Sequence, residues 1–307
     1  MTGLVPPSWL RALQARQQHF ALRADSTLRL LDGEDDAIRC DRFGPVCWFY
    51  SYRSPSPTDL AAMAAFAEMA GCPHWRVQHM QDRGRDPQAR AQWGSAVPEE
   101  WVANEEGLDY YFRREQGLSP GLFLDQRANR RWLAAQARGR RVLNLFSYTG
   151  GFSLNAARGG ATQVVSIDLS RNFLDWSKAN FALNNLEETT AEFWAADARY
   201  FLRGCAKRNR LFDLIICDPP SFARGPEGVF RIEKDFGELL QQIDSALASD
   251  GILLLSTNYE KWDLRAFQRC VRQALGARAY QNIALPPPAN DLNKNDSGLK
   301  ALALRRA

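Results

Sequence analysis

The sequence contains no long apolar run. None of its apolar segments approaches the roughly 18 residues that a membrane-spanning helix requires. Its 45% hydrophobic and 24% charged residues are ordinary for a globular protein. Because 307 residues are many for one ordinary domain, we expect a soluble protein with one large α/β domain and a smaller companion, and no membrane partner.

Metal-binding and secretory patterns are also absent from the sequence. Its six cysteines include no C-x-x-C pair, and its three histidines form no ligand cluster with them. This predicts reduced, mostly buried thiols and no bound metal. The first residues, MTGLVPPSWLRALQARQQ, contain prolines and arginines in place of a secretory apolar core and cleavage site. We therefore expect a cytoplasmic protein.

The charge excess is small, since the formal net charge is +4. The basic residues are bunched, however, and the planar fork of arginine suits phosphate recognition. A surface of ordinary ion pairs explains any single cluster equally well. The clusters are Arg83, Arg85 and Arg90; Arg127, Arg130 and Arg131; Lys207, Arg208 and Arg210; and Arg224 and Arg231.

The chain divides into three predicted segments. Apolar spacing predicts a helix over residues 1–20, and a small α+β domain with strand-strand-helix-strand-strand order over residues 21–112. Residues 113–307 alternate strands and helices, which predicts a doubly wound, Rossmann-like parallel sheet. The last two strands have no helix between them and should therefore pair antiparallel, in a sheet of seven strands.

Small and acidic residues follow the first three strands of the large domain. Gly150 and Gly151 follow the first strand, Asp168 ends the second and Asp197 ends the third. Open α/β sheets bind ligands at this edge. Glycine there permits close backbone approach, and a carboxylate can accept both hydroxyl protons of a ribose. We interpret the three strand ends as a nucleoside-binding site, with Asp197 facing the adenine.

The nucleoside is not predicted to be a nicotinamide cofactor. The turn S-Y-T-G-G-F lacks the G-x-G-x-x-G spacing that brings backbone amides to a pyrophosphate. S-adenosylmethionine has no pyrophosphate, and an antiparallel end of the sheet distinguishes methyltransferases from dinucleotide-binding domains. The pattern therefore favours S-adenosylmethionine as the cofactor.

A second group of residues marks the reaction end of the sheet. The strand beginning near residue 212 ends in Asp218, Pro219 and Pro220, and two prolines fix the backbone and predict a rigid lip. Phe222 can stack on a base pulled out of its helix, although inward packing of this ring is the alternative. Asn258, after the last parallel strand, offers a donor and an acceptor to a base edge.

Cys217 is not predicted to act as a nucleophile, although methylation at carbon 5 of a pyrimidine requires a thiolate. It is the last apolar residue of a buried strand, and strand alternation turns its side chain away from the face that Asp218 presents. We expect a buried structural thiol.

These strings resemble the bacterial 23S ribosomal RNA large-subunit methyltransferases. Two related kinds are similar: one makes 5-methylcytosine, and the other, the K half of a fused K/L enzyme, makes N7-methylguanine. The segments that carry the resemblance are GLSPGLFLDQRANRR, VLNLFSYTGGFSL, VVSIDLS, FDLIICDPPSF and EKDFGELL. LLDGEDDAIRCDRFGPV resembles the small domain that these enzymes carry before the catalytic one. The resemblance implies ribosomal RNA (23S) or an assembling large subunit as the partner.

The resemblance also implies roles for individual residues. Phe123, Gln126 and Arg127 would close over the cofactor. Phe146, Tyr148 and Gly150 would line its methionine end, while Asp168 would hold the ribose, Asp197 the adenine and Asp218 the edge nearest the methyl group. The candidate cofactor-binding set further contains Asn144, Thr149, Leu169 and Ala198. The candidate catalytic residues are Asp218, Pro219, Pro220, Phe222 and Asn258, and the candidate substrate-binding residues are Phe222, Arg224 and Asn258.

Two departures select among the activities of this family. Only about twenty residues precede the small domain in this sequence, so we expect no counterpart of the amino-terminal RNA-binding module of the cytosine enzymes. The cytosine enzymes carry their nucleophile in an S-C-S string after the fifth strand, whereas this chain has Ser256-Thr257-Asn258, which resembles the S-N-N-like string of the guanine enzymes. We therefore expect methylation of guanine N7 in 23S ribosomal RNA. The alternatives are a cytosine carbon-5 enzyme, a small-molecule methyltransferase and a catalytically silent RNA-binding or assembly factor.

Overall fold

The computed structural model describes residues 4–35, 37–80, 94–115, 119–186, 191–276, 280–293 and 298–307. Contacts divide the chain into two compact units. The first unit comprises residues 1–125 and 288–297, and the second comprises residues 126–287 and 298–307. The sequence-based division into residues 1–20, 21–112 and 113–307 stays a prediction.

The first unit is built on a four-stranded sheet of order β1-β2-β3-β4. Its elements are α1 (Pro7–His19), β1 (Thr27–Leu31), β2 (Ile38–Phe43), β3 (Val46–Ser51), α2 (Pro57–Met69), β4 (His74–His79), β5 (Glu100–Glu105) and β6 (Leu108–Arg113). Only β3 and β4 pair parallel, because α2 carries the chain across between them. Strands β5 and β6 form a separate antiparallel hairpin. The sequence predicted two strands before α2 and two after it, whereas the described residues of this unit contain three before it and three after it.

Buried aromatic rings and a polar cluster hold the first unit together. Trp9 of α1 packs edge-on against Phe66 of α2, with ring centroids 5.7 Å apart. Asp291, from the distant segment 288–293, accepts a 2.8 Å hydrogen bond from the Arg29 backbone amide. The Asn293 amide donates to Asp32 at 2.7 Å. These bonds tie residues near the end of the chain to β1, a connection that the linear sequence does not reveal.

The second unit contains a seven-stranded sheet with helices on both faces. Its elements are a 3-10 turn (Leu124–Gln126) that leads in, α3 (Arg127–Ala137), β7 (Arg141–Leu145), α4 (Gly151–Arg158), β8 (Gln163–Asp168), α5 (Arg171–Leu183), β9 (Ala191–Ala195), α6 (Ala198–Arg208), β10 (Phe212–Cys217), β11 (Phe222–Gly225), β12 (Gly228–Arg231), α7 (Ile232–Ser245), β13 (Leu247–Thr257), α8 (Leu264–Leu275), β14 (Tyr280–Ile283) and β15 (Lys300–Arg306).

The strand order of this sheet is β14-β15-β13-β10-β7-β8-β9. Strands β13, β10, β7, β8 and β9 run parallel, and β15 is antiparallel to both neighbours. Helices α3, α4 and α5 contact one another in sequence, as do α6, α7 and α8, so the two groups cover opposite faces. The predicted fold class, including the antiparallel last strand, is confirmed.

The end of α7 differs from its sequence-based prediction. The apolar stripe of Phe236, Leu239, Ile243 and Leu247 predicts a helix that stops at Asp250-Gly251, but α7 ends at Ser245 and β13 already begins at Leu247. Asp250 has a positive φ of 57°, and the pairing of β13 with β10 shifts register in this region, so Asp250-Gly251 is an irregularity inside a strand. The short hairpin β11–β12 was not predicted at all. In the described part of the chain, none of the helices combines the length and the apolar character needed to cross a membrane.

Candidate active site

The turn that follows β7 has a strained backbone. Phe146, Tyr148 and Gly150 have positive φ angles of 58°, 49° and 83°. For a residue with a side chain, this region costs about 1–2 kcal/mol. Tyr148 is held by edge-to-face packing on Phe173, with ring centroids 4.5 Å apart. Strain of this kind persists where the surroundings enforce it, and it concentrates at functional sites.

Gly150 is required by the packing of this turn against α5. A Cβ atom at residue 150 would lie 2.0 Å from the Ser177 Oγ atom and 3.0 Å from the Ser177 Cβ atom. Close approach of a ligand was the reason expected from the sequence for glycine at this residue. The structure supplies another reason, which is contact with the neighbouring helix. The predicted contact of Gly150 with the cofactor stays a prediction.

Asp168, at the end of β8, is held in place by backbone amides. The Tyr148 amide donates a 2.9 Å hydrogen bond to Oδ2, and the Ser170 amide donates a 2.9 Å hydrogen bond to Oδ1. Burial raises the pKa of Asp168, and these amide bonds only partly offset that increase. Each oxygen retains acceptor capacity, so the carboxylate is positioned to accept hydrogen bonds from both hydroxyls of a diol.

Asp197 caps α6 and pairs with an arginine of the same helix. Its carboxylate accepts hydrogen bonds from the Arg199 amide at 2.9 Å and from the Arg199 guanidinium at 2.9 and 3.1 Å. Burial raises the pKa of Asp197, but the Arg199 hydrogen bonds outweigh burial, and the pKa is lower than usual. Asp197 therefore stays ionised and can accept a hydrogen bond from an amino group.

A cavity lies beside the carboxyl ends of β8 and β9, and the hairpin β11–β12 forms its other wall. It is lined by Phe146, Ile167, Asp168, Leu169, Ala196, Asp197, Ala198, Arg199, Ala223, Gly225, Gly228 and Phe230. The structure thus brings together five predicted cofactor-binding residues: Phe146, Asp168, Leu169, Asp197 and Ala198. The hairpin residues were missed. The G-P-E-G string between two short apolar runs was the available turn signal.

Asp218, at the end of β10, belongs to a polar network with three buried side chains, those of Gln126, Asn129 and Ser256. The Gln126 Nε2 atom donates to Asp218 Oδ2 and to Ser256 Oγ, each at 3.0 Å. The Ser256 hydroxyl donates to Asp218 Oδ1 at 2.7 Å, and Asn129 donates to Gln126 Oε1 at 2.7 Å. Gln126 and Asp218 were predicted to share the site, whereas Ser256 and Asn129 were not recognised as their partners.

The lip after β10 leads directly into the hairpin. Pro219 is buried and Pro220 is exposed. Phe222 begins β11 and is 53% exposed, so the alternative that its ring packs inward is wrong. Arg224, two residues further along the strand, and Asn258, directly after β13, are also exposed. The side chains proposed to meet a substrate are therefore accessible, while their roles stay predictions.

Four other predicted cofactor residues are not among those that line the cavity. Asn144 is buried within β7, where its amide donates to Ser153 at 2.9 Å. Arg127 and Thr149 are buried, and the Thr149 carbonyl accepts a hydrogen bond from Asn180. Phe123 belongs to the first unit. The cofactor roles of these four residues stay predictions.

The prediction for Cys217 is confirmed. Its side chain is 0% exposed and belongs to the apolar core of the second unit. Burial raises its thiol pKa well above the ordinary value. A neutral, inaccessible thiol cannot attack a pyrimidine.

The residues of the cavity suit S-adenosylmethionine. The Asp168 carboxylate matches a ribose diol, Asp197 matches an exocyclic amino group, and the Phe146, Leu169 and Phe230 side chains supply an apolar enclosure for a purine. Gly225 lies so close to this wall that a Cβ atom there would be 3.1 Å from Leu169 and 3.3 Å from Asp197 Oδ2. The strand order together with this edge site defines a class I methyltransferase.

A comparison with protein-family models identifies the family. The model of the S-adenosylmethionine-dependent methyltransferases matches residues 34–305. The chain belongs to this family and is an S-adenosylmethionine-dependent methyltransferase. Its structure is similar to the crystal structure of SMU.776 in complex with SAH (S-adenosylhomocysteine). The TM-score is 0.83 with 25% identity, and the match covers 97% of this chain and 80% of that one.

Two relatives by sequence carry names of ribosomal RNA enzymes. The chain is 39% identical over 168 residues to the ribosomal RNA large subunit methyltransferase K of Neisseria meningitidis. It is 38% identical over 189 residues to the methyltransferase K/L of a Shewanella species. These alignments cover 54% and 61% of this chain, but only 48% and 26% of the respective relatives. The chain therefore spans less than half the length of either.

Proposed function

We propose that this methyltransferase acts on 23S ribosomal RNA in the cytoplasm and methylates guanine at N7. The names of the K and K/L relatives support an RNA substrate. Residues 21–112, the proposed small domain, would contribute RNA contacts beside the catalytic domain, for which we retain the limits 113–307.

One observation carries the choice of guanine N7 over cytosine carbon 5. The edge where β10 and β13 end presents Asp218 and Asn258, while the adjacent thiol, Cys217, is buried with a raised pKa. Cytosine methylation at carbon 5 requires an accessible thiolate. Guanine N7 carries an exposed lone pair and needs neither a thiolate nor a general base.

The chain's own task is then to bind and to orient. Phe146, Asp168 and Asp197 would hold the cofactor, which supplies an electrophilic methyl group when bound. Phe222 and the rigid Pro219-Pro220 segment would hold an extruded guanine by stacking, and Asn258 would meet its edge with a donor. The Gln126-Ser256 pair fixes the Asp218 carboxylate with two hydrogen bonds. Alignment of this kind can supply most of the rate acceleration.

Transfer of labelled methyl to RNA, followed by nucleoside mass spectrometry, tests this function. We expect 7-methylguanine from the purified chain and loss of that nucleoside from the 23S RNA of a deletion strain. Formation of 5-methylcytosine would overturn the assignment. Absence of any RNA product, with SAH still bound, would overturn the RNA substrate itself.

RNA affinity should fall steeply with salt. Each phosphate that a basic side chain neutralises releases bound counterions, so the logarithm of affinity decreases linearly with the logarithm of salt concentration. A filter-binding titration at several salt concentrations measures the slope. A slope near zero would contradict the proposal.

A further inference from the structure

The two faces of the β11–β12 hairpin have different surroundings. Phe222 pairs with Arg231 and Arg224 pairs with Val229 across the hairpin. Side chains alternate between the faces of a strand, and directly paired residues share a face. Phe222, Arg224 and Arg231 therefore share one face, which we call the outer face. The opposite, inner face lines the cofactor cavity.

The outer face carries two exposed guanidinium groups, those of Arg224 and Arg231. In the described part of the chain, no carboxylate forms an ion pair with the guanidinium of Arg224 or of Arg231. Arg231 lies over the Phe222 ring at 5.7 Å from its centroid, and the ring is still 53% exposed. Some other arginines of this unit are paired with a carboxylate, such as Arg210 with Glu192. An exposed ring between two available guanidinium groups suits an unpaired nucleotide strand, through base stacking and phosphate contact.

The inner face touches the groups that would hold the adenosine part of the cofactor. Ala223, Gly225, Gly228 and Phe230 line the cavity opposite Leu169 and Asp197. Because Gly225 lies directly against these two residues, a nucleoside seated there would contact the hairpin itself. Cofactor binding would therefore restrict how far the hairpin can move.

The tip of the hairpin is fastened to α6. The Arg203 guanidinium pairs with the Glu227 carboxylate. The Arg199 guanidinium, which also holds Asp197, donates to the Glu227 backbone carbonyl at 3.3 Å. One arginine thus contacts both the adenine-side carboxylate and the hairpin tip, which joins the state of the cavity to the position of the hairpin.

We propose that the outer face of this hairpin binds unpaired RNA, and that cofactor seated against its inner face strengthens RNA binding. The proposal rests on the RNA substrate proposed above and adds Arg231 to the substrate-binding residues. A cofactor that contacts the inner face would favour one position of the hairpin, and RNA on the outer face would favour the same position, so each ligand would favour binding of the other. Linkage makes this effect reciprocal.

Fluorescence anisotropy with a labelled, guanine-containing single-stranded oligoribonucleotide tests both parts. We expect the full-length protein to bind the oligonucleotide about five-fold or more tightly when saturated with SAH. Glu227→Gln should reduce the ratio of the two RNA affinities, with and without SAH, towards one. Glu238→Gln, an equal charge change on the exposed side of α7, should leave this ratio unchanged.

Arg224→Gln and Arg231→Gln should each weaken RNA binding and lower the salt slope by about one. The SAH affinity of these variants, measured without RNA, should not change. Arg265→Gln, on the exposed side of α8, is the control and should leave RNA binding unchanged. If the protein methylates RNA but binds the oligonucleotide with equal affinity in the presence and absence of SAH, the coupling is overturned and the proposed function still stands. Unchanged RNA binding by both Arg224→Gln and Arg231→Gln would overturn the assignment of the outer face as an RNA-binding surface. Absence of RNA binding by the unaltered protein would overturn the proposed function together with this inference.

Discussion

The backbone amide of Tyr148 donates a 2.9 Å hydrogen bond to the carboxylate of Asp168. This bond joins the strained turn after β7 to the end of β8, so the part of the site proposed for the methionine end and the part proposed for the ribose share one contact. A change at either residue should therefore affect both cofactor binding and the geometry of the turn.

Asp168→Asn should reduce SAH affinity about ten-fold or more. An amide group in place of the carboxylate would set an N–H donor against the amide of Tyr148 or of Ser170, and an unsatisfied buried donor costs about 1–3 kcal/mol. Calorimetric titration with SAH measures the loss. Asp175→Asn, on the exposed side of α5, is the matched control and should bind normally. Equal affinities for the two variants would exclude the ribose role of Asp168.

SAH affinity should decline on acidification at a higher pH than an ordinary aspartate would cause. Burial raises the pKa of Asp168, so its carboxylate takes up a proton earlier as pH falls and loses acceptor capacity. The dissociation constant measured at stepwise lower pH should rise, whereas that of Asp168→Asn should vary much less. An affinity that stays constant down to about pH 4, near the ordinary aspartate pKa, would contradict this prediction.

Gly150→Ala should destabilise the protein more than Gly139→Ala. Both glycines have positive φ angles, of 83° and 74°, but a Cβ atom at Gly139 meets nothing within 4 Å, whereas at Gly150 it meets Ser177. Gly139→Ala should therefore cost only the backbone strain, about 1 kcal/mol, and Gly150→Ala should cost about 1–3 kcal/mol more because of overpacking. Urea unfolding of both variants measures the difference. Equal losses would show that α5 yields to the added methyl group.

Cys217→Ala should retain methyl transfer. The side chain is buried in the core, so its truncation should lower the free energy of unfolding by about 1 kcal/mol through lost packing, without removing a reacting group. Methyl transfer at saturating substrate and urea unfolding are measured on the same preparation. A folded but inactive Cys217→Ala protein would support the cytosine mechanism instead.

Asp213→Asn should lower stability without affecting cofactor binding. Arg141, the first residue of β7, donates to the Asp213 carboxylate from its backbone amide and from its Nε and Nη2 atoms, at 2.8 to 3.0 Å. The Arg141 hydrogen bonds lower the pKa of Asp213. The interaction of Asp213 with Arg141 therefore stabilises the folded protein above the unfolded-state pKa, and this stabilisation is lost as pH falls through the folded-state pKa.

Both partners of this ion pair are partly exposed, so screening by solvent limits the expected loss to roughly 0.5–1 kcal/mol. Urea unfolding at neutral and acidic pH should show the difference between Asp213→Asn and the unaltered protein shrinking on acidification. A difference that grows at low pH would contradict the assignment.

The sequence alone determined the architecture of the catalytic unit and part of its site. Alternation of strands and helices predicts a parallel sheet, and polar residues at the carboxyl ends of parallel strands must gather at one edge. Asp168 and Asp197 were predictable for that reason, and the burial of Cys217 followed from its place at the end of an apolar strand.

Tertiary structure decided the contacts between residues that are distant in the chain. Ser256 meets Asp218 only because β13 pairs beside β10, and Gly150 meets Ser177 only because α5 packs on the turn. The hairpin β11–β12 escaped prediction because each of its strands has four residues, too few for an alternating pattern to stand out. Its two faces acquired their difference from what lies on each side, which is a property of packing that local sequence does not encode.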